Sequence, residues 1–279
     1  MFDSPADVTE RLAAVDYLSD DAISTSVFLA AALGKPLLVE GPAGVGKTQL
    51  AKAVALATGA RLIRLQCYEG LDEARALYEW NYKKQLLRIQ AAGVDDDIFS
   101  EEFLLERPLL KAIRSASPTV LLIDETDKAD VEVEGLLLEL LSDFQVTIPE
   151  LGTIAATRRP YVVLTSNATR ELSEALKRRC LYLHLEYPTP ERERDIVLTQ
   201  VPTIRAELAE QLARTVATLR ALELKKAPSV AETVDWANTL LALGRAELDE
   251  ATVAGTLGVV LKHASDQARA VKELGLPDA

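Results

Sequence analysis

Pro36-Leu37-Leu38-Val39-Glu40-Gly41-Pro42-Ala43-Gly44-Val45-Gly46-Lys47-Thr48-Gln49-Leu50-Ala51-Lys52-Ala53-Val54-Ala55 carries three elements in a fixed order. The apolar run Pro36–Val39 predicts a buried strand. Gly41 to Thr48 fits the pattern G-x-x-x-x-G-K-[ST] at every fixed position. Gln49 to Ala55 predicts a helix whose N-terminus faces back toward the loop. That layout turns backbone N–H groups and a helix end toward phosphate oxygens. The predicted nucleotide contacts are Gly41, Pro42, Ala43, Gly44, Val45, Gly46, Lys47, Thr48 and Gln49. Lys47 has the reach for the β- and γ-phosphates, and the Thr48 hydroxyl suits Mg²⁺. A glycine-rich turn that binds nothing is the competing reading, and the flanking strand and helix weigh against it.

Further apolar runs recur at 61–67, 119–125, 161–167 and 181–186, with helical patterns between them. The alternation predicts an α/β fold: a parallel five-stranded sheet flanked by helices. Ligands of such sheets sit at the carboxyl ends of the strands. Val120-Leu121-Leu122-Ile123-Asp124-Glu125 ends in two carboxylates. Burying carboxylates at a strand end is costly unless they are used. Asp124 is placed to share the Mg²⁺ shell, and Glu125 to polarise an attacking water. The next strand ends in Asn167, which either orients that water or opens a turn and caps the next helix. Arg178 and Arg179 precede the last strand. They either stabilise charge in phosphoryl transfer or close a solvated basic helix end.

Composition sets limits around this core. The 279 residues suit one large domain or two smaller ones, with ordinary hydrophobic (48%) and charged (27%) fractions. A formal charge of −12 argues against a nucleic-acid partner, which demands clustered Lys and Arg. Cys67 and Cys180 share no metal-ligand spacing and read as reduced, partly buried thiols. The acidic start, Met1-Phe2-Asp3-Ser4-Pro5-Ala6-Asp7, lacks the features of a signal peptide, and no apolar stretch reaches membrane-span length. A cytoplasmic location is expected.

After Pro188-Thr189-Pro190 the patterns are helical only, notably over 208–222 and 230–243. The expected organisation is therefore an α/β nucleotide-binding domain over 1–188 and an all-helical domain over 189–279. Two segments interrupt the first. Residues 69–108 form a long connection holding Tyr78-Glu79-Trp80-Asn81-Tyr82, Asp95-Asp96-Asp97 and Phe99-Ser100-Glu101-Glu102-Phe103. This is either a cover over the sheet edge or an insertion that meets a partner. Residues 143–156 pattern as a β-hairpin.

Together these motifs resemble the MoxR group of AAA+ ATPases, and within it the CoxD-type chaperones, over nearly the whole chain. Gly41–Thr48 is similar to Walker A, Leu121–Glu125 to Walker B, and Asn167 stands at the sensor-1 position. The most specific likeness lies in Leu65-Gln66-Cys67-Tyr68-Glu69-Gly70-Leu71-Asp72, in Tyr78–Tyr82, and in Phe103-Leu104-Leu105-Glu106-Arg107-Pro108-Leu109-Leu110. The resemblance implies ATP and Mg²⁺ as cofactors and ATP hydrolysis as the reaction. It also implies a homo-oligomeric, hexameric ring in which Arg178 or Arg179 reaches a neighbour's nucleotide. A VWA-domain partner and a metalloenzyme client, such as a molybdenum-containing carbon monoxide dehydrogenase, follow from the same likeness, with 189–279 as the lid. Two departures stand out. The loop after the carboxylates reads Thr126-Asp127-Lys128-Ala129, where the group often has Ile-Asp/Asn-Arg-Ala. The lid stretch Ala227-Pro228-Ser229-Val230-Ala231-Glu232-Thr233 holds no sensor-2 Arg, leaving Lys225 or Lys226 as substitutes. That gap supports an alternative, a slow nucleotide-dependent switch or assembly scaffold without remodelling activity.

Overall fold

The computed structural model describes residues 1–92 and 98–277, so Asp95-Asp96-Asp97 lies outside the described residues. Five parallel strands form the main sheet and are numbered in chain order: β1 Leu37–Glu40, β2 Arg61–Gln66, β3 Thr119–Asp124, β4 Tyr161–Ser166 and β5 Leu181–His184. Their spatial order is β2-β3-β4-β1-β5. The two strands with apolar neighbours on both faces, β3 and β4, are buried at every position. That is why both read as unbroken apolar runs. At the sheet edges, β2 and β5 expose alternate residues.

Register brings the functional strand ends level. Gln66 lies beside Asp124, and Glu40 beside Ser166. The helix Lys47–Thr58 follows β1 directly and buries Leu50, Ala51, Ala53, Val54 and Ala55. Its small side chains allow close approach to the sheet. Two helices, Pro5–Ala13 and Asp21–Leu33, come before β1; the second stops at Gly34, whose φ of +60° supplies the left-handed cap.

The long connection between β2 and β3 builds its own small ribbon. Tyr78–Trp80 pairs antiparallel with Leu104–Glu106, and the helix Tyr82–Ala92 projects from it. Trp80 and Phe103 root the ribbon in the main core, with Phe99 edge-on to Trp80 at 5.4 Å. Tyr82, Leu86 and Leu87 on the projecting helix stay exposed. A second antiparallel pair, Gln145–Ile148 with Gly152–Ala155, lies between β3 and β4 in sequence.

The described chain divides into two compact units: 1–41 with 47–184, and 42–46 with the chain from Leu185 onward. Besides the loop residues 42–46, the second unit holds helices Pro190–Gln200, Ala206–Ala221, Val230–Ala242, Glu250–Val260 and Ala264–Leu274, and no strand among the described residues. Thr189, Ser229 and Asp249 cap three of them, and Ser229 with Glu232 completes a reciprocal capping box. Trp236 is fully buried at the centre of this unit, its indole N–H donating to Thr256 Oγ1 at 2.7 Å. Glu193 is buried there too, bonded to Arg220 and Thr233. No helix among the described residues is long and apolar enough to cross a membrane.

Candidate functional site

The loop after β1 needs glycine. Gly41, Gly44 and Gly46 have φ of +154°, +76° and +98°, which side-chain-bearing residues rarely adopt. Within the second unit, Val230 N–H donates to Gly44 O at 3.2 Å, and a Cβ added at Gly44 would lie 2.2 Å from Ser229 Cβ.

At the strand ends, four of the sequence-predicted residues come together. Lys47 is buried and its Nζ donates to Gly41 O at 2.6 Å and to Asn167 Oδ1 at 2.8 Å. Burial pushes the ammonium below its ordinary range, opposed by the fields of Asp127, Asp124, Glu125 and Glu40. Thr48 Oγ1 donates to Asp124 Oδ1 at 2.9 Å. Asn167 therefore faces the lysine, and Ser173, not Asn167, caps the next helix, Glu174–Lys177.

Asp124 is almost completely buried and fully partnered. Thr165 Oγ1 donates to Oδ1 at 2.5 Å, while Arg64 Nε and Nη2 reach Oδ2 at 3.0 and 2.5 Å. Glu125 follows with φ +56°, a left-handed conformation costing roughly 1–2 kcal/mol for a residue with a side chain. Its N–H donates to Thr165 Oγ1 at 2.9 Å, which holds the turn. Glu125 Oε2 accepts from Gln66 Nε2 at 2.9 Å and from Lys128 Nζ at 2.7 Å. Asp127 fastens the neighbouring loop: Thr169 N–H and Oγ1 donate to its Oδ2 at 3.0 and 2.5 Å. Burial raises the Asp127 carboxyl, but these hydrogen bonds win and hold it below the ordinary carboxylate range.

Arg64, Gln66, Thr165 and Asp127 escaped the sequence reading. Arg64 and Gln66 sit on β2, an edge strand whose polar residues read as ordinary solvent-facing alternation. Register was the missing information, because the pairing of Gln66 with Asp124 puts β2 against the carboxylates.

The two arginines part company. Arg179 Nη1 donates to Ala175 O at 2.7 Å and its Nε to Ser142 Oγ at 2.5 Å, so it closes its own helix end. The Arg178 side chain is exposed, with no hydrogen bond or ion pair among the described residues. In the second unit, Lys225 and Lys226 donate their backbone N–H groups to Asp266, and Lys226 Nζ meets Glu232 at 3.5 Å. Both thiols are held protonated by burial, each pushed up to about 12.

The donor set fits a magnesium nucleotide. An ammonium, a hydroxyl and a carboxylate converge at the end of a glycine loop. No group of three or more His, Cys, Asp or Glu among the described residues could cage a metal alone. A divalent ion here would need phosphate oxygens besides Thr48 and Asp124, which is how Mg²⁺ is usually held.

The chain is similar to known proteins to differing extents. An uncharacterized protein of Staphylococcus haemolyticus is 26% identical over 206 residues, covering 70% of this chain and 72% of that protein. The 26S proteasome regulatory subunit 6B homolog of Dictyostelium discoideum is 28% identical over 188 residues. That match covers 63% of this chain and 39% of the subunit, so the chain spans well under half of that protein. A RuvB mutant of Thermotoga maritima superposes with a TM-score of 0.51 at 18% identity, covering 99% of this chain and 73% of that one, a likeness of fold. Residues 36–180, more than half of the chain, match the AAA domain (dynein-related subfamily). With β1, the glycine loop and the strand-end carboxylates all inside that match, this chain belongs to the AAA family, in its dynein-related subfamily.

Proposed function

We propose that this protein is an ATP-hydrolysing AAA+ remodelling chaperone of the MoxR type. The observation that carries the ATPase reading is the convergence of Lys47, Thr48, Asp124 and Asn167 within hydrogen-bond distance at the carboxyl ends of β1, β3 and β4. Residues 41–49 bind the phosphates, Lys47 neutralises them, and Thr48 and Asp124 hold Mg²⁺, which supplies Lewis-acid polarisation of the phosphoryl oxygens. Glu125 activates water once released from Gln66 and Lys128, and Asn167 positions it. Arg178 is the finger that completes a neighbouring subunit's site, because it is exposed and unengaged while Arg179 is tied to Ser142 and Ala175. Completion between chains requires a homo-oligomeric ring, read here as hexameric. The nucleotide-binding domain is taken as 1–188 and the lid as 189–279.

The finer assignment rests on the CoxD-like phrases around Tyr68, Trp80 and Phe103 and on the exposed Tyr82, Leu86 and Leu87 of the projecting helix. It places the protein in the cytoplasm with a VWA-domain partner and a metalloenzyme client. Steady-state hydrolysis by wild type and Glu125→Gln, with binding of a fluorescent ATP analogue measured in parallel, tests the enzyme. The variant should bind normally and hydrolyse roughly 100- to 1000-fold more slowly. An unchanged rate would remove Glu125 from the chemistry.

One observation favours a second reading, a slow switch. Lys226 is engaged by Glu232, so neither that side chain nor any arginine in 227–233 stands free as a lid sensor. A turnover that no partner or client accelerates would favour it.

A further inference from the structure

The strand-end carboxylates are linked by a chain of contacts that begins at Arg64, to which the proposed reaction gives no role. Asp124 Oδ2 receives both Nε and Nη2 of Arg64. Arg64 Nη2 also donates to Gln66 Oε1, and the Gln66 amide passes the link to Glu125 Oε2. One guanidinium thus spans the carboxylate assigned to the metal and, through a single amide, the carboxylate assigned to the water. The partners differ in setting. The Asp124 side chain is 3% exposed, whereas that of Arg64 is 47% exposed, with solvent beside it.

We propose that Arg64 is a positioning residue that competes with the metal cation for Asp124: it neutralises that carboxylate, and the magnesium nucleotide must displace it. The inference rests on the nucleotide-site reading above. Its physical basis is competition. Burial makes a cation beside Asp124 favourable, whichever cation it is, and a guanidinium and a divalent cation close to one carboxylate repel each other. No bond is made or broken in this step; only hydrogen bonds and ion pairs exchange.

The consequence runs opposite to ordinary damage. Removing Arg64 should make the metal easier to bind. In titrations of Mg²⁺ against the wild-type protein and a fluorescent ADP analogue, Arg64→Met should lower the half-saturating Mg²⁺ concentration by about tenfold. Arg64→Lys, which keeps a cation but loses the two-nitrogen contact and the fork toward Gln66, should fall between them. Asp124→Asn should abolish the Mg²⁺ dependence in both backgrounds. Equal half-saturation in wild type and both variants would overturn the proposal, and so would a higher Mg²⁺ requirement, which would make Arg64 a phosphate ligand. If wild type binds the analogue with no Mg²⁺ dependence, the latch falls while the nucleotide site stands; if wild type binds no nucleotide, the site itself falls.

Discussion

Asp124 in the sheet and Glu193 in the helical unit are both buried carboxylates with an arginine partner, yet they are built for different ends. Glu193 is saturated. Its Oε1 accepts from Arg220 Nη2 at 2.8 Å and Thr233 Oγ1 at 2.6 Å, and its Oε2 from Arg220 Nη1. Arg220 is itself fixed, donating to Pro228 O at 2.7 Å and lying 4.4 Å over the Tyr187 ring. Its side chain is 9% exposed, against 47% for Arg64. A pair with no outlet to solvent joins three helix regions and stays joined. A buried carboxylate whose cation can leave is suited to exchange. The same two side-chain chemistries thus make a rivet in one unit and an exchangeable contact in the other.

Arginine removal breaks this comparison most sharply. Arg220→Met orphans a fully buried charge and should cost about 3–5 kcal/mol of stability. Arg64→Met should cost about 1 kcal/mol or less, since its arginine is half in water and Thr48 and Thr165 still bond Asp124. Urea unfolding followed by Trp fluorescence measures both, and equal losses would erase the distinction.

Gly44→Ala probes the loop between these regimes. A Cβ there forces φ +76° on an alanine and drives into Ser229 Cβ, a short side chain that cannot swing away. The strain alone is roughly 1–3 kcal/mol. The variant should lower the unfolding midpoint and weaken nucleotide binding, whereas Gly34→Ala, with the same sign of φ but open space, should cost only the strain.

The smallest effect concerns the thiols. Both are pushed up to about 12 from the ordinary 9.0. A folded-state value above the unfolded one stabilises at low pH, and that stability drains away between about 9 and 12. Below that window both should resist a thiol reagent at pH 8 until the protein unfolds; rapid labelling of native Cys67 would contradict its burial.

Much of the sheet was legible because physical periodicity left no ambiguity. The buried strands β3 and β4 could only read as continuous apolar runs, and the helical spacing after Pro190 declared the C-terminal helices. Lys47, Thr48 and Asp124 were legible because a glycine loop fixes what must surround it, whereas Asn167 stood open between that site and a helix cap, and only its contact with Lys47 decides. Arg64 and Gln66 were not, since nothing in an edge strand's alternation says which neighbour its polar residues face. Arg178 and Arg179 were indistinguishable as neighbours in sequence; Ser142, far from them in the chain, sets them apart by taking Arg179 alone. Asp127 read only as an ordinary member of its loop, between the departures Thr126 and Lys128, because its partner Thr169 follows β4 in the chain.

The central claim, an ATPase site finished by a neighbour's Arg178, is tested most directly by mixing two inactive proteins. Glu125→Gln keeps its arginine but lacks the base, and Arg178→Ala keeps its base but lacks the arginine. Each alone should hydrolyse ATP at a small fraction of the wild-type rate. Mixed as subunits of one assembly, they should recover activity, because an intact Glu125 site then receives Arg178 from the chain beside it. Activity no greater than the sum of the two parents, or an Arg178→Ala protein as fast as wild type, would contradict the account.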